Sequence, residues 1–158
     1  MWSNDFDEML DFKCPYRHQF IANVVSHHDN DKEDRRFALS CRDIIPGGGD
    51  QGATCEHSGN VNNLDGIVDY TCPGNGYING MKSVHDNGAE DRVWAFYCCR
   101  MPGKSLTQCT LTDWTNNYDG YQNYHVPNGY AMYGVYSVHS NYYEDRRFRY
   151  RICTVGGK

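Results

Sequence analysis

The chain has 158 residues, enough to bury a hydrophobic core and few enough for one compact domain. Its formal net charge of −5 argues against a general nucleic-acid binder, because such proteins usually carry a basic excess. No apolar run is long enough to span a membrane. With 13 Tyr and 16 Gly, the composition favours short strands and turns over helices.

Three similar segments recur along the chain. Residues 34–41 are repeated at 91–99 and again at 145–153, with starting points 57 and 54 residues apart. The similarity extends backwards from each segment, through a Ser eight positions before the Asp, to a Trp-containing stretch in the first and third units. We therefore place the repeats at about 2–46, 60–101 and 114–155, within a single domain covering residues 1–158.

Each repeat is predicted to form a β-hairpin preceded by a short strand. In every unit a β-rich run leads through a polar turn into a second strand. The predicted hairpin strands are 20–26 with 35–41, 77–84 with 92–98, and 130–138 with 146–153. The short strands, each with a tight turn at its start, are predicted at 7–13, 65–71 and 119–125.

One face of each second hairpin strand is predicted to lie in the core. Side chains alternate along a strand, so alternate residues share a face. The core sets are Arg35, Phe37, Leu39 and Cys41, then Arg92, Trp94, Phe96 and Cys98, then Arg146, Phe148, Tyr150 and Ile152. We expect the first Arg of each set to pair with a nearby carboxylate such as Glu33, Glu90 or Glu144. Trp2 and Trp114 occupy one repeat position, which favours the core over exposed stacking platforms.

The opposite face differs between units. In the third unit it carries Arg147, Arg149 and Arg151, spaced about 7 Å apart on a regular strand. Guanidinium groups suit sulfate and carboxylate ligands, so this row is a candidate anion-binding site. The alternative is a solvated outer face whose charge is offset by the surrounding acidic residues.

His28, His85 and His139 recur at one repeat position, close to the predicted hairpin tips. Three such residues could converge on zinc, but hydrogen bonding within the turns explains them equally well, and we expect no metal. Polar tips beside Tyr142 and Tyr143 would suit a shallow saccharide site. No Gly-x-Ser-x-Gly motif is present, and we expect no catalytic residues.

The chain has eight Cys and no Cys-x-x-Cys pair, which indicates disulfides and an oxidising compartment. The repeat favours Cys14 with Cys41 and Cys109 with Cys153. Cys55 and Cys72 would then pair with Cys98 and Cys99, in an order that the sequence leaves open. Because residues 1–5 lack the features of a secretion signal, we interpret the chain as a mature form with an added initiator Met.

The repeated segments resemble a known family. Residues 91–100, Asp-Arg-Val-Trp-Ala-Phe-Tyr-Cys-Cys-Arg, are similar to the Asp-Arg-Glu/Gln-Trp repeat of dermatopontin, an extracellular matrix family that includes invertebrate agglutinins and blood-cell aggregation factors. The likeness covers essentially the whole chain, including the stretch from Trp2 to Cys14-Pro15 and the Tyr-rich stretch at 118–143. Two segments read Asp-Arg-Arg-Phe instead, and no Cys follows Cys153. One disulfide of vertebrate members is therefore expected to be absent.

The resemblance implies secretion, disulfides, no catalysis and adhesion through glycans. We predict an all-β, disulfide-stapled domain of three pseudo-symmetric repeats, trefoil- or prism-like. The predicted function is an extracellular, secreted lectin of the agglutinin type, without cofactor, that recognises acidic or sulfated glycans such as glycosaminoglycans on cells or matrix. The predicted ligand-binding residues are Arg147, Arg149, Arg151, Tyr142, Tyr143, His139 and His85.

The alternative function is that of a matrix structural protein that binds collagen or proteoglycan core protein without recognising sugar. Matrix proteins are therefore further candidate partners. Neither nucleic acid nor membrane insertion is expected, and the sequence leaves homo-oligomerisation open.

Overall fold

The computed structural model describes residues 2–49 and 52–157 as an all-β structure. Residues 1 and 158, the ends of the predicted domain, lie outside the described residues, as do Asp50 and Gln51. The proposed initiator Met is therefore not described. Within the described ranges, no helix is long and apolar enough to cross a membrane.

The described residues form eleven strands, and the predicted hairpins and short strands are all among them. In chain order they are β1 (Leu10–Lys13), β2 (Gln19–Asp29), β3 (Asp34–Asp43), β4 (Thr54–Asn60), β5 (Val68–Thr71), β6 (Tyr77–Asp86), β7 (Asp91–Arg100), β8 (Lys104–Leu111), β9 (Gln122–His125), β10 (Tyr130–Ser140) and β11 (Asp145–Gly157). The three antiparallel hairpins are β2 with β3, β6 with β7, and β10 with β11.

Each short strand pairs with the hairpin of the next unit instead of its own. Strand β1 pairs with β6, β5 pairs with β10, and β9 of the third unit returns to pair with β2 of the first. The tight turns that precede these strands contain Asp7, Asp65 and Asp119, each with a φ between 62° and 64°. Asp tolerates this left-handed conformation better than most residues. The exchange of strands joins the three units into one body.

Two hairpins carry an additional outer strand that the sequence did not predict. Strand β4 pairs with β7, and β8 pairs with β11. The sheets are therefore β1-β6-β7-β4, β5-β10-β11-β8 and β3-β2-β9. In the third of these sheets, β3 is an edge strand.

The core lies where the three sheets meet. The rings of Phe37, Trp94 and Phe148, one from each hairpin, pack edge to face with centroids 5.3–5.9 Å apart. The predicted core faces of β3, β7 and β11 are buried, except that Cys41 is only half-buried. Edge-to-face packing is a favoured aromatic geometry, so equivalent residues from all three units close one common core.

Four disulfides join segments of this structure. Cys14 is bonded to Cys41 and Cys109 to Cys153, as the repeat predicted. The order that the sequence left open is Cys55 with Cys99 and Cys72 with Cys98. Cys55 and Cys109 lie on the outer strands, so two of the bridges attach β4 and β8 to their hairpins.

Candidate functional site

The three repeated Arg residues form buried ion pairs that link neighbouring units. Arg92 donates from Nε and Nη2 to the two carboxylate oxygens of Asp34, at 2.8 and 2.7 Å. Arg146 binds Asp91 and Arg35 binds Asp145 in the same two-pronged way. The prediction that each Arg pairs with Glu33, Glu90 or Glu144 is wrong, because the Asp of the preceding unit lies closer to each guanidinium. Unit two thus binds unit one, unit three binds unit two, and unit one binds unit three.

The repeated His rings are buried beside these pairs and lie away from the surface. The side chains of His28, His85 and His139 are each 1% exposed. Each Nε2 lies 3.1–3.3 Å from the backbone carbonyl oxygen of a turn Glu, and each Nδ1 lies 3.1–3.3 Å from the carboxylate of Asp119, Asp7 or Asp65 respectively. Burial leaves His85 and His139 out of any surface saccharide site.

Each of these His residues forms a group with two Asp residues whose potential ligand atoms lie within 4.8 Å of one another. The groups are His28 with Asp119 and Asp145, His85 with Asp7 and Asp34, and His139 with Asp65 and Asp91. These residue types can bind zinc. However, one Asp in each group already accepts two bonds from an Arg and one from a backbone N–H. We therefore interpret the groups as part of the ion-pair network.

The turn Glu residues border the same region. Glu33, Glu90 and Glu144 have φ of 50–51° and line a small cavity together with the Arg–Asp pairs. Partial burial raises the pKa of Glu90 and of Glu144. His85 opposes the rise for Glu90 and His139 opposes it for Glu144, while neighbouring carboxylates add to both. This end of the molecule is therefore crowded with negative charge.

The row of Arg residues on β11 lies on the outer face and contacts aromatic rings. The Arg147 guanidinium carbon lies 4.1 Å from the centroid of Trp114 and 4.9 Å from that of Tyr118. Arg149 lies 5.3 Å from Trp114 and donates from Nε to the carbonyl oxygen of Thr112. Arg151 forms an exposed ion pair with Asp69 at 2.9 Å. Stacking on aromatic faces holds the first two guanidinium groups in place.

The exposed Tyr residues continue this surface. Tyr143 stacks on Tyr118 with centroids 5.1 Å apart, and Tyr142 packs edge-on against Tyr143 at 4.9 Å. Tyr142 is 87% exposed and Tyr143 is 42% exposed. We call the group Arg147, Arg149, Trp114, Tyr118, Tyr142 and Tyr143 the arginine–aromatic surface. It brings together four of the seven residues predicted to bind ligand.

A partial copy of this surface occurs in the first unit. Arg36 lies over Trp2 and Phe6 at 4.4 and 5.0 Å, but the carboxylate of Asp5 is 3.9 Å away. The third unit has Asn117 in place of Asp5. As a result, Arg147 has no carboxylate partner within the described parts of the chain.

Sequence analysis missed the role of the Trp residues. Trp2 and Trp114 are half-buried beneath Arg36 and Arg147, so the prediction that they lie in the core is wrong. Both residues nevertheless occupy equivalent places, each beneath an Arg of its own unit. The signal that could have revealed this role is the second Arg of the Asp-Arg-Arg sequence. It occurs as Arg36 and Arg147, in the two units that have the Trp, whereas the second unit has Val93 instead.

Comparison with known proteins identifies the family. Residues 4–157 match the family model described as Dermatopontin. The chain is 36% identical over 156 residues to the hemagglutinin/amebocyte aggregation factor of Limulus polyphemus, an alignment that covers 98% of this chain and 87% of that protein. It is 34% identical over 144 residues to dermatopontin of Biomphalaria glabrata, covering 91% and 93%, and 25% identical over 157 residues to dermatopontin of Bos taurus, covering 98% and 77%. No solved structure matches the chain. The match over nearly the whole length shows that the chain belongs to the dermatopontin family.

Proposed function

We propose that this protein is a secreted adhesion protein of the agglutinin type that binds acidic or sulfated glycans through the arginine–aromatic surface, with Arg151 beside it. The names of the relatives, a hemagglutinin/aggregation factor and dermatopontins, support a role in binding cells or matrix. The four disulfides support an extracellular location. Neither line of support specifies a glycan, so the ligand class rests on the surface itself.

The observation that carries the proposal is the lack of an acceptor for Arg147. Its guanidinium lies against Trp114 and Tyr118 and forms no hydrogen bond or ion pair with the described residues. The Nε of this side chain is buried without a partner, but so are those of Arg36 and Arg151. What distinguishes Arg147 is that its terminal Nη groups have no carboxylate partner among the described residues, whereas those of Arg36 and Arg151 each have one. A sulfate or carboxylate can bind such a group in a two-pronged way. Neighbouring Tyr rings offer flat apolar faces that could pack against a sugar.

The test is retention on a sulfated-glycan resin such as heparin-agarose, measured at two salt concentrations. We expect Arg147→Ala with Arg149→Ala to abolish retention, and wild-type retention to fall at high salt because exposed charges are screened. Arg36→Ala is the matched control, since it removes an equivalent stack that already has a carboxylate. Unchanged retention of the double variant would rule out this surface as the site.

A second substitution tests the missing carboxylate directly. Asn117→Asp restores the residue type found at the equivalent position of the first unit, and we expect it to weaken retention by partly neutralising Arg147. Asn117→Ala changes the same side chain without adding charge and is expected to bind like the wild type. Equal binding of both variants would mean that Arg147 does not contact the anion.

Binding to collagen or to a proteoglycan core protein, without sugar, is the competing function for a member of this family. Treating the partner with glycan-removing enzymes separates the two. Loss of binding after treatment supports glycan recognition, whereas retained binding supports the protein-binding alternative.

We also infer that the three units are related by approximate threefold symmetry, in a trefoil- or prism-like arrangement. The support is that the same Arg–Asp pair and the same cross-unit strand pairing occur at all three junctions. Superposition of the three units in an experimental structure is the direct test.

A further inference from the structure

A cleft of about 380 Å³ lies between the loop at residues 14–18 and the strands β4 and β7. Its aromatic lining consists of Tyr16, His57 and Tyr97. None of the residues predicted to bind ligand lines it, and none belongs to the arginine–aromatic surface. Pockets for small ligands usually measure from about 300 to about 1,000 Å³. The cleft therefore has the size of a site for a small ligand.

A buried side chain of the second unit holds the Tyr16 loop in place. Asn79 is 4% exposed and donates from Nδ2 to the carbonyl oxygens of Tyr16 and Gln19, at 3.0 and 2.8 Å. The Tyr16 ring stacks on His18 with centroids 5.4 Å apart, yet Tyr16 is 60% exposed. An exposed ring on a loop that is already ordered costs little entropy when a ligand packs against it.

The Tyr97 ring is fixed on the other side of the cleft. It lies across Gly80, where a Cβ would be 2.7 Å from its Cδ2. His57 packs edge-on against the ring with centroids 4.8 Å apart, and the Lys13 ammonium lies 4.7 Å from the ring centroid. The aromatic lining is therefore in place before any ligand binds.

Three charged side chains that line the cleft have hydrogen-bonding capacity to spare. Lys13 forms no ion pair with the described residues, and Glu56 forms neither a hydrogen bond nor an ion pair with them. Arg17 donates one long bond, at 3.4 Å, to the carbonyl oxygen of Ala53. The cleft thus offers free donors and a free acceptor beside aromatic rings.

The equivalent place beside β11 lacks these groups. By strand register and by position after the conserved turn Pro of the repeat, the residues equivalent to Lys13, Tyr16, His57 and Tyr97 are Thr71, Gly74, Leu111 and Arg151. No aromatic ring is among them. Because the fold forms there without such residues, the architecture does not require them at the cleft.

We propose that this cleft binds a neutral saccharide, as a second site separate from the arginine–aromatic surface. A sugar ring has an apolar face that packs on an aromatic ring, and its hydroxyl groups both donate and accept hydrogen bonds. Lys13 and Arg17 supply the donors and Glu56 supplies the acceptor. The Glu56 carboxylate repels an acidic sugar, which favours a neutral one.

A second site of different chemistry has a consequence for adhesion. Agglutination requires at least two binding sites on one particle. A single chain with a neutral-sugar site and an anion site could bridge two glycan-bearing surfaces, and linked weak sites gain affinity without new contacts. The neutral-sugar site itself does not depend on which glycan Arg147 binds.

Titration of the intact, isotope-labelled protein with neutral methyl glycosides, followed by NMR, tests the proposal. The panel is the methyl glycosides of glucose, galactose, mannose, N-acetylglucosamine and N-acetylgalactosamine. We expect at least one to shift the amides of Tyr16, His57 and Tyr97 to saturation, equally at low and high salt, because a neutral ligand is not screened. No saturating shift, or shifts confined to other residues, would overturn the proposal.

Two substitutions and an acidic sugar probe the chemistry of the cleft. Tyr16→Ala removes the exposed ring and should weaken binding roughly tenfold, and Glu56→Gln should weaken it by removing the charged acceptor. Tyr121→Ala is the matched control, since Tyr121 is also 60% exposed but lies outside the cleft. Equal binding by Tyr16→Ala and Tyr121→Ala would reject the site. Tighter binding of a methyl uronoside than of its neutral counterpart would reject the ligand class.

The outcome can be separated from that of the proposed function. The Arg147→Ala, Arg149→Ala variant should lose retention on heparin-agarose but still bind the neutral glycoside. Tyr16→Ala should show the reverse. Glycoside binding without heparin retention would therefore reject the arginine–aromatic surface alone, and heparin retention without glycoside binding would reject the cleft alone.

Discussion

The two-pronged geometry of the buried Arg residues makes each one difficult to replace. Arg92 is 3% exposed, and besides Asp34 it donates to the carbonyl oxygens of Glu8 and Ser83. Arg presents a rigid fork of donors that matches a carboxylate, which Lys cannot reproduce. A single side chain thus satisfies acceptors on three segments of the chain.

Loss of one buried guanidinium should be costly. We expect Arg92→Met to lower the free energy of unfolding by about 3–5 kcal/mol, because Asp34 would remain buried without its partner. Arg151→Met breaks an ion pair in which the Asp69 side chain is 54% exposed, and it should cost less than about 1 kcal/mol. Urea denaturation with the disulfides intact measures both. Similar losses of unfolding free energy in the two variants would show that burial does not determine how strongly these ion pairs stabilise the fold.

The turn Glu residues lead to a prediction about pH. Because partial burial raises the pKa of Glu90 and Glu144, the ionised carboxylates are less favourable in the folded chain than in the unfolded chain. Their protonated forms therefore favour the folded state at low pH, and this contribution is lost as pH rises through the raised pKa.

We expect the Glu90→Gln, Glu144→Gln variant to be more stable than the wild type at pH 7, with the difference shrinking as the pH falls through the raised pKa values. Thermal unfolding across that pH range is the measurement. Glu56→Gln, at an exposed position of β4, is the control for loss of a negative charge. A difference that does not depend on pH would show that the two carboxylates do not titrate in this way.

At the scale of the strands, two Gly residues allow a neighbouring strand to approach closely. A Cβ at Gly80 would lie 2.6 Å from the carbonyl oxygen of Phe12 on β1, and a Cβ at Gly134 would lie 2.7 Å from that of Tyr70 on β5. Both follow an irregularity in the hairpin ladder. The first unit has Asn23 at this position, beside β9.

Gly80→Ala should force β1 away from β6 and cost roughly 1–3 kcal/mol of stability, as overpacking in a filled site does. Asn23→Ala is the matched control and should change stability by less than about 0.5 kcal/mol. Chemical denaturation gives both values. A neutral Gly80→Ala variant would mean that β1 can shift at no cost.

The sequence predicted the hairpins well because the pattern of alternating side chains is local. The core face from Arg92 to Cys98 could be assigned without knowing what packs against it. The outer strand β4 was missed, since its seven residues are largely polar and exposed and show no alternation. The acceptor of Arg92 was missed for a different reason. Asp34 is 58 residues away, and nothing local distinguishes it from Glu90.

The predicted binding residues divide in the same way, into those whose position depends on the local strand and those whose position depends on another unit. Alternation placed Arg147 and Arg149 on the outer face correctly, because that requires only the strand. The sequence places His85 close to a hairpin tip, and it does lie there, near the end of β6. The direction of its ring could not be predicted, because the ring folds inward to the carbonyl oxygen of Glu33, on another hairpin. Contacts between units decide where such side chains lie, and the local sequence pattern does not predict those contacts.

For the whole molecule, the important feature is that the exchange of strands closes on itself. Strand β9 of the last unit pairs with β2 of the first, and Arg35 binds Asp145 across the same junction. Each hairpin therefore depends on a strand and a carboxylate from another unit. No unit can lose its structure without removing partners from both of its neighbours.

This closure predicts a single cooperative unit of unfolding. We expect the most protected amides of β2, β6 and β10 to exchange with the same free energy of opening in native-state hydrogen exchange. The reason is that segments which depend on one another's contacts open as one cooperative unit. Arg35→Met directly perturbs only the junction between the first and third units, yet it should lower protection equally in all three strands. If β6 kept its protection, the second unit would be an independent foldon, and the strand exchange would serve only to position the binding surface.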